Sequence, residues 1–367
     1  MNKKRILLLL LVTAILGALI YFQFRTWQKF DWQTFGRVTR DINLSKVLFA
    51  IAIIYCTYLL RALRWKIFLR PVCKAHFKSM VGPQFIGFTG LALLGRPGEL
   101  IRPYLIAKKE NLTFSSQVAV WAVERIFDIG AFAVLMAIDV FAFSGRFALP
   151  QDFHVSLFAH SIQFVLLLKI FGAVLLAAVA GMGWAAYRVR SNSDGVAHWL
   201  QRRLSVFSRK FAGTVCHKVR AFGSGLNTIH DSTALLQLTA VSLAIWFLIA
   251  LAYREVLHSY PSDIAPRLHA MQVQDVLLLM GASMVGSLLQ LPALGGGSQL
   301  ATIGVMSSAV FSIPQEQAVS AGIMLWLVTF VTCVPAGLVF AHFEQVSLRK
   351  VSAETQHEEQ GAEALDN

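Results

Sequence analysis

MVGPQFIGFTGLALLGRPGELIR, residues 80–102, does not read as an ordinary membrane span. It is apolar as far as Leu94, short of the ~20 residues a helix needs to cross a bilayer, and Gly82, Pro83, Gly87 and Gly90 interrupt it. Basic residues bracket it: Arg61, Arg64, Lys66, Arg70, Lys74 and Lys78 come before, and Arg96, Arg102, Lys108 and Lys109 come after. Lys and Arg gather at the cytoplasmic ends of spans, so both flanks read as cytoplasmic. The segment is therefore expected to enter the membrane and return on the same side, as a re-entrant hairpin. Irregular backbone survives at that depth only when it is buried in protein or lines a wet cavity, so the hairpin predicts a cavity.

The rest of the chain agrees with a membrane setting. Of 367 residues, 56% are hydrophobic and 14% charged, with a mean hydropathy of +0.59; average globular chains carry about 25% charged residues. About six full spans are expected, over 6–24, from 47 onward, and over 116–143, 162–187, 232–253 and 317–343. The first follows MNKKR and shows Tyr21-Phe22-Gln23-Phe24 where a cleavage site would need small residues, so it reads as an uncleaved span. A second interrupted segment, 276–315, has no charged residue and is cut by LPALGGGSQ, residues 291–299. The net charge of +13 falls mainly on the inner segments, which puts both termini in the cytoplasm and makes anionic lipid, rather than nucleic acid, its partner.

Residues 91–117 set over residues 291–317 align Leu91, Leu94, Gly95, Leu100 and Gln117 with Leu291, Leu294, Gly295, Leu300 and Gln317. The first hairpin would enter from inside and the second from outside, as an inverted-topology duplication requires; in such folds the interrupted helices meet near the midplane and form the substrate site. The expected fold is thus an all-α polytopic membrane protein with about six spans and two re-entrant helical hairpins in an inverted repeat. A single membrane domain is expected over 1–344. Its first repeat covers about 47–143 and its second about 232–343. A basic amphipathic helix over about 188–230 would lie between them on anionic headgroups, and 345–367 would be a disordered acidic tail.

The densest polar constellation is WAVERIFD, where Glu124, Arg125 and Asp128 sit inside an apolar span. A spacing of four puts Glu124 and Asp128 on one helix face. Charges at that depth cost about 2.5–3.5 kcal/mol each on insertion scales, so they need partners or water. Two readings stand side by side: a groove wall facing a charged headgroup, or an ion-pair lock to Arg61, Arg64 or Arg96. Arg61, Arg64, Arg96 and Arg102 converge near a helix start, the arrangement that holds phosphate through guanidinium forks and free backbone N–H groups. Gly98 and Glu99 belong to the same turn, and Gly296, Gly297 and Gln299 are their uncharged counterparts in the second half. Cys56, Cys73, Cys216 and Cys333 are scattered, and no metal-ligand spacing, nucleophile elbow, P-loop or dinucleotide fingerprint occurs. No catalytic residue, metal or cofactor is expected.

At GFTGLALLGRPGELIRPYLIAKKENLTFSSQVAVWAVERIFD, residues 87–128, the chain resembles the lysylphosphatidylglycerol synthase transmembrane-region family. The resemblance rests on Pro97, Gly98, Glu99 and Arg102 followed by Glu124, Arg125 and Asp128, and extends over about 47–343. It implies a flippase-like fold that moves an anionic or aminoacylated phospholipid, or a polyprenyl lipid, between leaflets of the inner membrane. The second half departs from the family pattern: Pro292, Gly295, Gly296 and Gly297 match, but Gln299 stands near the place of the usual acid. The soluble transferase domain is not matched, so synthase activity is not expected. An accessory protein that presents a lipid to a separate glycosyl- or aminoacyl-transferase is the alternative, and homodimerisation is compatible with either.

Overall fold

The computed structural model describes residues 30–143, 154–157, 160–205, 213, 232–287 and 296–345. The expected first span, most of the basic linker beyond 205 and the acidic tail from 346 lie outside the described residues.

Among the described residues the chain is helical, apart from a small antiparallel hairpin. Asp31 opens α1 (Trp32–Arg40), its carboxylate accepting the backbone N–H groups of Gln33 and Thr34. Asn43 caps α2 (Leu44–Leu69) in the same way, accepting from Lys46 N–H. After α3 (Phe77–Leu94) a 3₁₀ turn (Arg96–Leu100) leads into α4 (Ile101–Lys109), and α5 (Phe114–Phe143) follows. Strands β1 (His154–Leu157) and β2 (His160–Gln163) pair Val155 with Ile162. Helices α6 (Phe164–Ser191) and α7 (Ser193–Leu204) then close the first part of the chain.

The second part follows after residue 231. It has a long helix, α8 (Ser232–His258), a short α9 (Pro266–Ala270), and the pair α10 (Val273–Gly286) and α11 (Gly296–Ser307). Helix α12 (Gln315–Trp326), a π turn (Leu327–Val331) and α13 (Cys333–Phe343) complete it. Three helical stretches among the described residues, Leu44–Leu69, Thr233–His258 and Gln315–Phe343, are long and apolar enough to cross a membrane. Helix α5 has the length, at 30 residues, but carries Glu124, Arg125, Asp128 and Asp139.

Polarity runs opposite to that of a soluble protein. Leu48, Phe49 and Leu59 of α2, Leu235, Leu236 and Phe247 of α8, and Leu338 and Val339 of α13 are exposed, while Arg61, Arg64, Arg102, Glu124 and Asp128 are buried. Water penalises that pattern and lipid favours it.

Helices α2 and α8 pack along each other at the centre. Helix α3 folds back on α4 and packs against α13, while α10 packs against α11 and α5. The first turn-back differs from expectation in one respect. Helix α3 continues through Gly82 and Pro83 as 18 residues, and the reversal comes later, where Gly95 adopts φ 71°. Pro83 sits in the helix's second turn, where its missing N–H costs one hydrogen bond without ending the helix. Glycine is needed where α4 lies on α3: a Cβ on Gly98 would collide with the Gly90 carbonyl, and one on Gly87 would lie 2.5 Å from the Arg102 Cβ. In the second pair, Gly286 meets the Gly297 backbone with equal closeness.

Candidate functional site

Helix α5 presents Glu124 and Asp128 one turn apart, and α2 and α4 bring arginines to them. Arg64 is fully buried and reaches both acids, donating to Asp128 Oδ1 at 2.6 Å and to Glu124 Oε1 at 2.5 Å. It also donates to the Ser242 hydroxyl of α8 at 2.9 Å. Arg102 pairs with the other oxygen of Glu124 and donates to Gln84 Oε1 at 3.1 Å. Arg61 lies 3.7 Å from Asp128 Oδ2. Arg125, i,i+3 from Asp128 on α5, closes the set at 3.3 Å from Asp128 and 3.6 Å from Glu124.

Aromatic rings back the guanidiniums. Arg102 stands 4.6 Å from the Trp65 ring centroid and 5.4 Å from that of Phe88. Arg61 stands 5.0 Å from Phe88 and Arg125 6.0 Å from Trp121. Such contacts stabilise a desolvated cation by about 0.5–2 kcal/mol. The indole of Trp65 is itself held by Gln117 Oε1 at 3.1 Å.

Two quantities define what this cluster can do. Four guanidiniums face the carboxylates of Glu124 and Asp128, and Glu99 lines the pocket beside Arg102 and Arg125, so cluster and pocket together carry one formal positive charge in excess. Buried donors are also in excess among the described residues of the cluster: Nε of Arg61, Arg64 and Arg125 and Nε2 of Gln84 have no acceptor, against one unmatched acceptor atom, Asp128 Oδ2. The cluster opens on a small, half-open pocket of about 20 Å³ lined by Gly87, Phe88, Leu91, Glu99, Arg102, Trp121 and Arg125. Arg125 is the most open of the four arginines, its side chain 39% exposed. The pocket lies between α3, the 3₁₀ turn, α4 and α5.

The structure brings together Arg61, Arg64, Arg102, Glu124, Arg125 and Asp128. Glu99 lines the pocket and Gly98 forms the turn beneath it. Arg96 opens the 3₁₀ turn, its side chain outside the described part. Gly296, Gly297 and Gln299 stand at the start of α11, where Gly296 is buried at φ 54°. Among the described residues no hydrogen bond or ion pair ties those three to the arginines. Gln84, Trp65, Phe88, Trp121 and Ser242 were not singled out by sequence, and Gln117 was noted only as a repeat identity with Gln317; the one available signal was Gln84, a lone amide in the apolar run before the turn.

A family model described as the lysylphosphatidylglycerol synthase TM region matches residues 6–337. The chain belongs to that family. No curated protein and no solved structure was found to match it. Family membership agrees with an integral membrane protein in a lipid-related role, and the matched lysylphosphatidylglycerol synthase TM region contains every residue of the arginine–carboxylate cluster. The match concerns the membrane region alone and brings no soluble synthase domain with it.

Proposed function

We propose that this chain is a multi-pass transporter of the cytoplasmic membrane that holds a phosphate-bearing lipid headgroup at the arginine cluster and passes it between leaflets. The observation that carries this reading is the unmatched positive charge at a buried site with an opening. A purely structural lock for Glu124 and Asp128 needs two guanidiniums; Arg61 and Arg125 go beyond that need, and each keeps a buried donor without an acceptor. Phosphate oxygens supply both the charge and the acceptors. Acyl chains can stay in the surrounding lipid while only the headgroup reaches the arginines from the pocket's open side.

The inverted repeat is part of the same proposal, with repeats over about 47–143 and 232–343 and both termini cytoplasmic. Element order favours it: α2, the α3–α4 pair and α5 match α8, the α10–α11 pair and α12–α13. Helix α5 and the α12–α13 unit end 200 residues apart, at Phe143 and Phe343. Each pair also packs on the other half's last helix, α3 on α13 and α10 on α5. In a transporter those two contacts are the ones that exchange as access alternates.

The test is reconstitution of purified protein in liposomes containing labelled lipids, with leaflet-specific quenching. Wild type should exchange labelled lipid faster than empty vesicles, and Arg125→Gln should slow exchange while the fold persists. If wild type is no faster than empty vesicles, transport is refuted and presentation of lipid to a separate transferase becomes the better reading.

A further inference from the structure

Buried acids also meet at the other end of α5, away from the arginine cluster. Asp139 comes eleven residues after Asp128, about 16 Å further along the helix. It is 2% exposed, and its Oδ2 has no hydrogen-bond partner. Gly281 of α10 lies against Met136 and Phe132 of α5, and Asp275, six residues earlier on α10, comes level with Asp139, so that the charge of one acid bears on the other. Asp275 is 6% exposed, and its Oδ2 caps α10 by accepting the Gln272 N–H at 3.0 Å. We propose that Asp139 and Asp275 form a proton-binding site in which Asp139 carries a proton at neutral pH, and that loading and unloading this site is coupled to opening of the α5–α10 contact. The coupling rests on the transport reading above; the proton site does not.

Two carboxylates drawn together out of water do not both stay ionised unless a cation offsets them. Glu124 and Asp128 have their arginines; Asp139 has none. Among the described residues no ion pair joins it to Lys169 of α6, the helix whose Gly172 lies beside Val140 and Phe141. On α8, Arg254 is paired with Glu255 at 2.9 Å, and His258 turns its Nε2 to the Met271 carbonyl at 2.7 Å. Lys46 of α2 donates to the His258 carbonyl at 2.9 Å, and Arg102 of α4 belongs to the cluster at the far end. A proton needs one oxygen, whereas an ion such as Ca²⁺ takes roughly six to eight, and among the described residues no three acidic, histidine or cysteine side chains gather to hold a metal ion. The proton bonds to a carboxylate oxygen of Asp139 and returns from it to water, with no electron transferred. Once it leaves, like charges face each other across the α5–α10 contact and favour its separation. Acids inside membrane helices commonly serve proton movement, and this pair spans one of the two contacts proposed to exchange as access alternates.

The experiment is infrared spectroscopy of the purified full-length protein across a pH series, reading the C=O stretch of a neutral carboxylic acid. Wild type at neutral pH should show a band that Asp139→Asn loses and that Asp263→Asn, at an exposed acid outside the site, keeps. Asp275→Asn retains a capping side chain and removes the neighbouring charge, so its band should fade at lower pH than in wild type. Absence of the band from wild type, or its survival in Asp139→Asn, overturns the proton site. Fading of the Asp275→Asn band at the wild-type pH overturns the pairing, and that variant decides the matter even if Asp139→Asn does not fold. Loss of the wild-type band on adding sodium at constant pH would assign the site to a metal cation instead. In the liposome assay, wild-type lipid exchange should change about threefold or more between roughly pH 6 and pH 8, and exchange by Asp139→Asn should stay flat. Wild-type exchange that ignores pH sinks the coupling and leaves transport standing. No exchange at all sinks transport and the coupling together, and the infrared band still decides the proton site.

Discussion

Arg64 and Arg125 belong to the same cluster but should behave oppositely when removed. Arg64 is wholly buried and holds one oxygen of each acid. Its loss leaves carboxylate charge without its principal partner, a change that costs about 3–5 kcal/mol for a buried pair. Arg64→Met is therefore expected to lower the melting temperature of the detergent-solubilised protein sharply or abolish recovery. Arg125→Gln removes a half-exposed partner from acids that keep their other arginines, so it should cost about 1 kcal/mol or less while impairing lipid exchange. Comparable melting losses for the two variants would contradict this division. The acid pair and Arg61 and Arg64 were legible because i,i+3 and i,i+4 spacing fixes who shares a helix face. That Arg102 would reach Glu124 was not: it depends on how closely α4 lies on α3, and a single sequence does not reveal that distance.

At the level of elements, that closeness is set by glycine. Gly98 is buried with its Cα against the Gly90 carbonyl, and Gly87 lies under the Arg102 side chain. Gly98→Ala should push α4 away from α3 and destabilise by about 1–3 kcal/mol, as overpacking does. It should weaken lipid retention as well, because Arg102 moves with α4. Gly36→Ala in α1 is the control, with open space around the added methyl; it should be neutral or stabilising by up to about 1 kcal/mol. A thermal-melting series that ranks the two equally would refute the packing argument. The π turn at Leu327–Val331 is a second element that spacing did not announce. Hydroxyls from the first half meet its backbone and the residues just beyond: Tyr58 donates to the Thr329 carbonyl at 3.2 Å, Tyr55 to that of Thr332 at 2.6 Å, and Thr89 to that of Cys333 at 3.1 Å. Tyr55→Phe should cost about 1 kcal/mol, the net worth of one such bond, and a thermal melt checks it. The π turn escaped sequence reading because its cause is tertiary: LVTFV is an ordinary apolar string until hydroxyls arrive from α2 and α3.

The whole molecule raises a question of handedness across the membrane. Apolar content made a membrane protein legible from composition, and Gly95 marked the reversal between α3 and α4. Basic clusters assigned a side to every loop, but they did so by a statistical tendency of Lys and Arg rather than by any contact. The proposed inverted repeat turns that tendency into a strict requirement. Helix α7 precedes α8 and the loop holding Ser262 follows it, so if α8 crosses as the proposed repeat requires, the two lie on opposite sides. In a variant without native cysteines, Gln201→Cys in α7 and Ser262→Cys in the loop after α8 both place a thiol at an exposed position. A membrane-impermeant thiol reagent added to sealed cells should label Ser262→Cys, and should reach Gln201→Cys only after permeabilisation. Labelling of both from the same side would make α8 re-entrant or remove it from the bilayer. Either outcome would break the proposed correspondence between α2 and α8, and with it the alternating-access role proposed for the α3–α13 and α10–α5 contacts. The charged residues of the arginine cluster all lie on α2, α4 and α5, so a failed topology test combined with intact lipid binding would describe a lipid-binding protein that does not turn its ligand over.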